Sequence, residues 1–287
     1  MFNNIKEVFI MKYTTKEILD IADKGGYAVP AFNIYNFGSL MGVKAAAEET
    51  GAPVIFQVYN RLLNTGTAKY LMPAILAVVN DLKTPAAIHL DHGAGNPEVL
   101  RAIRYGATSV MIDASTLPFD ENVAKTKAVV DIAKEVGVSV EGELGHVGSA
   151  ANGDENGNYT EVDAAKDFVE KTGVDLLAVM VGTAHGRYKK APILAVDRVK
   201  ELYEAVDAHL VLHGGSGVPD DQIRAVVEAG VRKINYATDV CTAFIEGYKK
   251  LDPYSEPFDV LLSHPADDVK EYAIERIKLL GADKYNG

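Results

Sequence analysis

Three histidines lie where strands of this sequence are predicted to end. His92 closes the stretch HLDH, His185 lies in VGTAHG and His213 lies in LHGGSG. Neutral imidazoles that converge from separate strands and leave one coordination position open are the ligand set of a catalytic zinc ion. A lone histidine is more often a capping or surface residue, but three at equivalent positions favour a metal site. We therefore predict that His92, His185 and His213 bind one zinc ion per subunit.

A carboxylate precedes the first of these histidines. A bound metal can polarise a carbonyl and stabilise an enediolate, and Asp91 is placed to move the proton of a neighbouring hydroxyl. The alternative is that Asp91 only orients a ligand histidine. His89 shares the strand face of Asp91, so we predict that it supports the site from deeper in the core. The other histidines, His146, His209 and His264, are predicted to be structural or exposed.

Two glycine-rich stretches supply the second half of the predicted site. HGGSG (213–217) and NYAT (235–238) follow the last two predicted strands, where barrels frequently bind phosphate. Glycines let backbone N–H groups approach an anion, and Ser216 and Thr238 add hydroxyl donors. Gly186 offers one more amide. Taken alone, such a stretch predicts only a tight turn, but beside His213 it favours a phosphate pocket.

Eight apolar, β-branched runs alternate with segments of helical period, and these elements must hold the candidate residues. The predicted strands cover residues 28–33, 53–58, 86–91, 108–113, 138–143, 175–181, 209–213 and 232–236. The intervening helices are predicted to end at glycines in the left-handed conformation, namely Gly51, Gly106, Gly137, Gly173 and Gly230. This alternation predicts a single α/β domain, a (β/α)₈ TIM barrel over residues 11–287 with an extra C-terminal helix. A doubly wound open sheet is the alternative.

Two irregular stretches interrupt the pattern. Residues 145–163 are rich in Gly, Asn and Asp, and so long a loop in a compact domain indicates a lid or disorder. Residues 252–265 precede the final helix, which is predicted to cover about 266–280.

Composition excludes several classes of function. The chain has 287 residues, 29 basic and 40 acidic, with a net charge of −11, which disfavours nucleic-acid and anionic-membrane partners. Cys241 is the single cysteine, so metal ligands must be imidazole or carboxylate. No apolar run approaches the length of a membrane span, and the N-terminus lacks the pattern of a signal peptide. We expect a cytoplasmic protein, with residues 1–10 as an upstream extension or the product of a misplaced start codon.

The motifs together resemble the class II (zinc-dependent) fructose- and tagatose-bisphosphate aldolases. The similarity extends from about Met11 to the final helix, in the order TTKEIL, GGYAVPAFNIYN, HLDHG, YGATSVMIDAS, EGELGHVG, VGTAHGRY, LHGGSGVP and INYATD. The resemblance implies a (β/α)₈ barrel. It also implies a lyase of carbohydrate metabolism, as in glycolysis, that reversibly cleaves a ketose 1-phosphate or 1,6-bisphosphate to dihydroxyacetone phosphate and an aldehyde.

The resemblance also implies residue roles. Asp91 matches the proton donor, the three histidines match the zinc ligands, and Glu143 matches a glutamate that contacts the metal in some states. The positions that match the phosphate-holding residues are Gly186, Gly214, Gly215, Ser216, Asn235 and Thr238. Secondary candidates for substrate contact are Asn33, Asp239 and Lys189. A monovalent cation (Na⁺ or K⁺) near the phosphate and a homodimer or homotetramer are further implications.

The chain departs from the family pattern on the side of the second substrate half. Tyr35 replaces an asparagine of the familiar FNVNN, and QVYNRLLNTG follows strand two. Near the C-terminus, where relatives often carry an arginine for a second phosphate, this chain has Asp267 and Asp268. We hypothesise that the aldehyde half lacks a phosphate or meets it through one of four cations, Arg61, Arg187, Lys189 or Lys190.

The loop after strand five also departs from the pattern. Relatives often carry an acidic cluster there that removes the α-proton, whereas this chain has Ser149, Ala150 and Ala151, with Asp154 and Glu155 as the nearest acids. Two other functions remain open. A metal-dependent sugar-phosphate epimerase or isomerase would use the same pocket, but it needs acid–base groups on both faces of a carbon. A non-catalytic sugar-phosphate sensor would be expected to have lost its ligands.

Overall fold

Eight parallel strands form a closed barrel in a computed structural model that describes residues 13–150 and 159–286. Each strand pairs with the next along the chain, and β8 closes the ring against β1. The strands are β1 Val29–Asn33, β2 Val54–Tyr59, β3 Ala86–Gly93, β4 Ser109–Ile112, β5 Ser139–Leu144, β6 Leu176–Val179, β7 His209–Leu212 and β8 Val231–Tyr236. The predicted TIM barrel is confirmed, and the open-sheet alternative is wrong.

Helices surround the barrel between successive strands. They are α1 Thr15–Gly25, α2 Phe37–Thr50, α3 Asn60–Asn64, α4 Ala68–Asp81, α5 Asn96–Arg104, α6 Phe119–Lys134, α7 Val162–Thr172, α8 Val196–Ala205, α9 Asp220–Glu228, α10 Thr238–Lys249, α11 Phe258–Leu261 and α12 His264–Leu280. The predicted extra C-terminal helix is α12, which packs against α2 and α10. The absence of a side chain at Gly42 of α2 lets α12 approach closely, since a Cβ there would lie only 2.6 Å from the Ala266 carbonyl oxygen.

Local sequence accounts for the ends of these helices. The side chain of Thr14 accepts a hydrogen bond from the backbone of Glu17, and Glu17 accepts one in return, which satisfies free N–H groups at the start of α1. The five glycines predicted to follow helices all have positive φ, from 66° at Gly51 to 123° at Gly230. The predicted division into residues 1–10 and 11–287 stays a prediction, since residues 1–12 lie outside the described ranges.

Two strands end two residues away from their predicted ends, and the other strands end within one residue of theirs. Strand β3 continues to Gly93, and between Leu90 and Gly93 it carries one more residue than the matching part of β4. Strand β6 ends at Val179 rather than near residue 181, because the next residue, Met180, bonds instead to Thr160. The Met180 N–H donates to the Thr160 hydroxyl, and the Met180 carbonyl accepts from the Thr160 N–H, each at 2.9 Å.

The barrel interior is polar near its carboxyl end. Residues two apart on a strand share a face, and such pairs are His89 and Asp91, Glu141 and Glu143, and Lys233 and Asn235, all of them buried. Aliphatic side chains fill the layer between barrel and helices. Among the described residues, no helix has both the length and the apolar character that crossing a membrane requires. The strands therefore deliver a concentrated set of polar groups to one end of the molecule.

Candidate metal centre and active site

The three predicted ligand histidines converge at the carboxyl end of the barrel. His92 belongs to β3, while His185 and His213 follow β6 and β7. The ring centroids are 4.9 Å apart for His92 and His185, 4.8 Å for His92 and His213, and 5.6 Å for His185 and His213. One nitrogen from each ring lies within 4.8 Å of the others. This spacing suits three ligands around one ion.

His92 owes its position to the irregularity of β3. Its φ of 51° places it in the left-handed region, and among the described residues no other non-glycine has a positive φ. Gly93 permits the turn, because a Cβ there would lie 2.5 Å from the Met111 carbonyl oxygen. Backbone strain of this kind is typical of functional sites. The extra residue lets Asp91 and His92, although adjacent, both line the same cavity.

A second carboxylate orients His92. The Nδ1–H of His92 donates to Asp113 Oδ2 at 2.8 Å, and Asp113 Oδ1 accepts from the Ser115 N–H and hydroxyl. This bond leaves Nε2 of His92 free to coordinate. Burial opposes charge on Asp113, but its bonds to His92 and Ser115 outweigh that effect and hold its pKa well below the usual range. Asp113 had no role in the sequence interpretation, although it directly follows β4.

His185 is oriented by a backbone carbonyl. Its Nδ1 lies 3.1 Å from the Val147 carbonyl oxygen, so Nδ1–H donates there and Nε2 is free. The backbone of His185 also bonds to the loop after β5, since its N–H donates to Gly148 and its carbonyl accepts from Ala150. Burial, together with the neighbouring rings of His213 and His92, lowers the pKa of His185 to about 4. A neutral ring is the form that binds a metal.

His213 lies deepest of the three. Its Nε2–H donates to Glu141 Oε1 at 2.8 Å, which leaves Nδ1 as the coordinating atom. Nδ1 lies 3.2 Å from Glu143 Oε2, yet neither buried atom has a hydrogen-bond partner among the described residues. Burial disfavours protonation, but the two glutamates outweigh it and raise the pKa of His213 to about 10, so they favour a positive charge at Nδ1, which a bound metal ion would supply in place of a proton. A metal ion satisfies such an orphaned pair, so the residues fit the predicted ion.

Glu143 belongs to a second possible ligand group. It forms with His92 and Asp113 another set whose ligand atoms lie within 4.8 Å of one another. His92 is common to both groups, so an ion could contact Glu143 without leaving His92. Contact between Glu143 and the metal in some states stays a prediction.

Asp91 is held by two amides on the floor of the cavity. Its Oδ2 accepts from Asn33 Nδ2 at 2.7 Å, and its Oδ1 lies 3.5 Å from Asn235 Nδ2. Gln57 in turn donates to Asn33 at 3.0 Å. Burial raises the pKa of Asp91, but His92, His213 and Asn33 together lower it below the usual value. Asp91 is therefore an oriented carboxylate that can accept a proton.

A buried ion pair lies beneath these groups. Lys233 is fully buried and donates to Glu141 Oε2 at 2.9 Å and to Asn235 Oδ1 at 2.8 Å. The chain of contacts thus connects His213 through Glu141 and Lys233 to Asn235 beside Asp91. His89 packs in the same layer, its Nδ1 2.8 Å from the Ser109 hydroxyl oxygen, and burial lowers its pKa to about 3. The sequence interpretation missed Lys233, although it precedes Asn235 by two residues on the same strand face.

The predicted phosphate-binding residues border one side of a cavity of about 480 Å³. Those that line the cavity are Gly186, Gly214, Ser216, Asn235 and Thr238. Gly214 has a φ of 68°, and a Cβ there would lie 2.4 Å from the Ala184 carbonyl oxygen, so only glycine fits. The cavity is also lined by Tyr35, Tyr59 and Arg61. A larger cavity of about 770 Å³, near Asp20 and His209, holds none of the predicted site residues.

Three predicted contact residues do not line this cavity. Gly215 packs behind the turn, and its N–H donates to the Asn235 carbonyl, so it is not available to an anion. Asp239 supports the turn, because its carboxylate accepts from the Gly217 N–H at 3.1 Å. Lys189 also lies outside the lining. Asn33 lines the cavity, with its amide committed to Asp91.

The other histidines lie outside the metal cluster. His146 is half exposed at the cavity edge, with Nδ1 3.0 Å from the Ser115 hydroxyl oxygen. His209 contacts Asp20 and His264 contacts Glu256, both on the surface. The loop acids Asp154 and Glu155, and Ala151 with them, lie outside the described residues.

The sequence of this protein matches the model of a known family. The family model described as fructose-bisphosphate aldolase class-II matches residues 13–284, nearly the whole described chain. The chain belongs to the class II fructose-bisphosphate aldolase family. This protein is accordingly an aldolase, which is a type of lyase.

Relatives of this aldolase cover it almost end to end. It is 36% identical over 267 residues to a sulfofructosephosphate aldolase from Alkalicoccus urumqiensis, covering 92% of this chain and 93% of that protein. The crystal structure of the YdjI aldolase from Escherichia coli K12 superposes with a TM-score of 0.86 at 35% identity, covering 95% and 98% of the two chains. The fructose-bisphosphate aldolase of Campylobacter jejuni shares the fold at 22% identity, with a TM-score of 0.80 and coverage of 96% and 97%.

Proposed function

We propose that this protein is a zinc-dependent aldolase that reversibly cleaves a ketose 1-phosphate to dihydroxyacetone phosphate and an aldehyde. The observation that carries the proposal is the convergence of three histidine nitrogens beside Asp91, at the floor of a cavity with a glycine-rich rim. Family membership supports the aldol chemistry. The hydrogen bonds and distances within the site support the roles proposed below for individual residues.

The ion would be held by His92 Nε2, His185 Nε2 and His213 Nδ1, with Glu143 as an alternate ligand. Each histidine has its other nitrogen bonded to an acceptor, so the free nitrogens point to coordination rather than to hydrogen bonding. A divalent ion in such a site supplies Lewis-acid polarisation of a substrate carbonyl. Zinc is the metal that three imidazoles with an open position favour.

Asp91 is the proposed proton carrier. In cleavage it accepts the proton of the hydroxyl next to the carbon–carbon bond that breaks, and in condensation it returns that proton. The amides of Asn33 and Asn235 hold the carboxylate from two sides, so its oxygens keep one orientation toward the cavity. The structure supports Asn33 and Asn235 as residues that position Asp91.

The substrate phosphate is proposed to lie against the turns after β6, β7 and β8. Backbone N–H groups near Gly186 and Gly214 and the hydroxyls of Ser216 and Thr238 are donors that suit a phosphate. Binding through amides and hydroxyls is compatible with a net charge of −11. We include a sodium or potassium ion near the phosphate in the proposal, as the family resemblance implies.

A screen of phosphorylated ketoses tests the function. Zinc-loaded protein is incubated with fructose 1-phosphate, fructose 1,6-bisphosphate, tagatose 1,6-bisphosphate and a sulfofructose phosphate, and triose phosphate release is followed with a coupled dehydrogenase. The sulfofructose compound is included because a relative of 36% identity carries that name. Release from at least one ketose, abolished by EDTA and restored by zinc, is the expected result.

The same screen separates the alternatives. An epimerase or isomerase would convert the ketose to an isomer without releasing triose phosphate. A sensor would bind the ketose and leave it intact. A homodimer or homotetramer and a cytoplasmic location complete the proposal. Light scattering of the purified protein measures the first, and fractionation of the source cells measures the second.

A further inference from the structure

One cation that lines the cavity has no role in the proposed function. Of the described residues that line the cavity, Arg61 is the only arginine or lysine. Its side chain is exposed, and no carboxylate in residues 13–150 and 159–286 pairs with it. An exposed arginine at a cavity mouth without a protein counter-ion can bind an anionic ligand.

The position of Arg61 is restrained by two aromatic contacts in series. Its guanidinium carbon lies 5.3 Å from the centre of the Tyr59 ring, and that ring packs edge-on against His92 with centroids 5.9 Å apart. A guanidinium over an aromatic face is attracted to it and loses freedom to turn away. Arg61 is therefore held near the metal cluster, since it contacts Tyr59 and Tyr59 in turn contacts His92.

Barrel topology places Arg61 across from one of the proposed phosphate turns, the one with Gly186. Arg61 follows β2, whereas the turn with Gly186 follows β6, and in a closed barrel of eight strands these two lie on opposite sides. The metal ligands and Asp91 lie between them. A ketose whose 1-phosphate lies against the turn with Gly186 would therefore extend its far end toward Arg61.

The other candidate cations are not placed for this task. Arg187 donates to the Thr242 hydroxyl at 3.3 Å, and Arg187, Lys189 and Lys190 do not line the cavity. Tyr35 and Tyr59 also line the cavity, and they offer phenol groups that can donate to an oxyanion. The wall thus combines one positive charge with two phenol groups.

We propose that Arg61 is a specificity-determining residue that binds an ionised oxyanion, a phosphate or a sulfonate, at the far end of the ketose substrate. This inference rests on the proposed aldolase function and deepens it, because it assigns recognition of the far end of the substrate to a particular residue of this chain.

The test uses three zinc-loaded proteins and three substrates. Arg61→Gln removes the proposed contact. Arg101→Gln is the matched control, since Arg101 also contacts α3, through Asn64 at 2.9 Å, but does not line the cavity. The substrates are fructose 1-phosphate with a neutral terminus, fructose 1,6-bisphosphate, and 6-deoxy-6-sulfofructose 1-phosphate. Cleavage kinetics give kcat/KM for each pair of protein and substrate.

We expect the unmodified protein to favour at least one oxyanion-ended substrate over fructose 1-phosphate. Arg61→Gln should reduce that ratio of kcat/KM by about 10- to 100-fold, the range for a lost charged hydrogen bond. Arg101→Gln should leave the ratio unchanged. The preferred anion identifies phosphate or sulfonate. A ratio that Arg61→Gln does not change, or an unmodified protein that prefers the neutral terminus, overturns the proposal.

Calorimetric titration of the same compounds separates this proposal from the proposed function. If no triose phosphate is released, the aldolase proposal fails, but tighter binding of an oxyanion-ended ketose that depends on Arg61 still supports the present one. Equal dissociation constants for the three compounds, or differences that Arg61→Gln preserves, overturn it independently of turnover.

Discussion

The carboxylates of Asp91 and Asp113 both lie beside the His92 ring, and their hydrogen-bond partners indicate different roles. Asp113 accepts from Nδ1–H of His92 and so fixes the ring. Asp91 accepts from Asn33 and faces the cavity, 3.8 Å from Nε2 of His92. The two residues can therefore be separated by experiment, one through turnover and the other through metal affinity.

Asp91→Asn tests proton transfer. The amide keeps the size of the side chain but cannot accept the hydroxyl proton, so we expect kcat to fall by about 10²- to 10⁴-fold. Zinc content, measured by elemental analysis, should stay at one ion per chain. Loss of zinc from this variant would show that Asp91 supports the metal instead.

Asp113→Asn tests metal orientation. The neutral amide no longer favours the Nδ1–H tautomer of His92, and loss of such an outer contact weakens metal affinity by about 10- to 100-fold. Competition with a chromogenic chelator measures the dissociation constant. Excess zinc should restore most of the turnover, which distinguishes this variant from Asp91→Asn. An unchanged zinc affinity would contradict the role.

At the scale of elements, the turn after β7 depends on glycine for two separate reasons. Gly214 has positive φ, and it also leaves room for the Ala184 carbonyl of the turn after β6. Gly51, which follows α2, has a similar φ of 66°, but an added Cβ there would meet open space. The two positions therefore differ in whether an added Cβ would clash with a neighbouring backbone carbonyl.

Gly214→Ala should therefore cost more than Gly51→Ala. We expect Gly51→Ala to lower the free energy of unfolding by about 1–2 kcal/mol, the cost of a left-handed alanine. Gly214→Ala should add about 1–3 kcal/mol for overpacking and should raise KM by displacing the turn. Urea unfolding and steady-state kinetics measure both. Equal unfolding energies would mean that the neighbouring turn yields without cost.

At the scale of the whole molecule, closure of the barrel brings Lys233 of β8 to Glu141 of β5. Both side chains are fully buried, so each charge depends on the other. Breaking a buried pair costs more than replacing it, because the remaining charge has no solvent. The pair also connects the two sides of the site, since Glu141 contacts His213 and Lys233 contacts Asn235.

Lys233→Met should destabilise the protein by about 3–5 kcal/mol because the buried Glu141 carboxylate loses its bond to the Lys233 ammonium and keeps only His213 as a cationic hydrogen-bond partner. The double variant Lys233→Met with Glu141→Gln should recover part of that loss. Thermal or denaturant unfolding of the zinc-free proteins measures the effect without any contribution from the metal. Additive losses in the double variant would contradict a direct interaction.

Sequence patterns predicted the barrel because hydrophobic periodicity and helix-ending glycines are local properties. The convergence of His92, His185 and His213 was also accessible, since barrel strands deliver their carboxyl-terminal residues to one face. The roles of Asp113 and Lys233 were not, because they depend on which side chain each strand places opposite its neighbour. The burial of the Gly215 amide depends likewise on pairing with Asn235.

The extra residue in β3 bears on protein design. In a regular strand, neighbours such as Asp91 and His92 would point to opposite faces, and one of the two would be directed away from the cavity. A graft of HLDH onto a regular barrel strand would thus separate the proton carrier from the metal ligand. A working transplant must also carry the left-handed residue at His92, the glycine after it and the offset against β4.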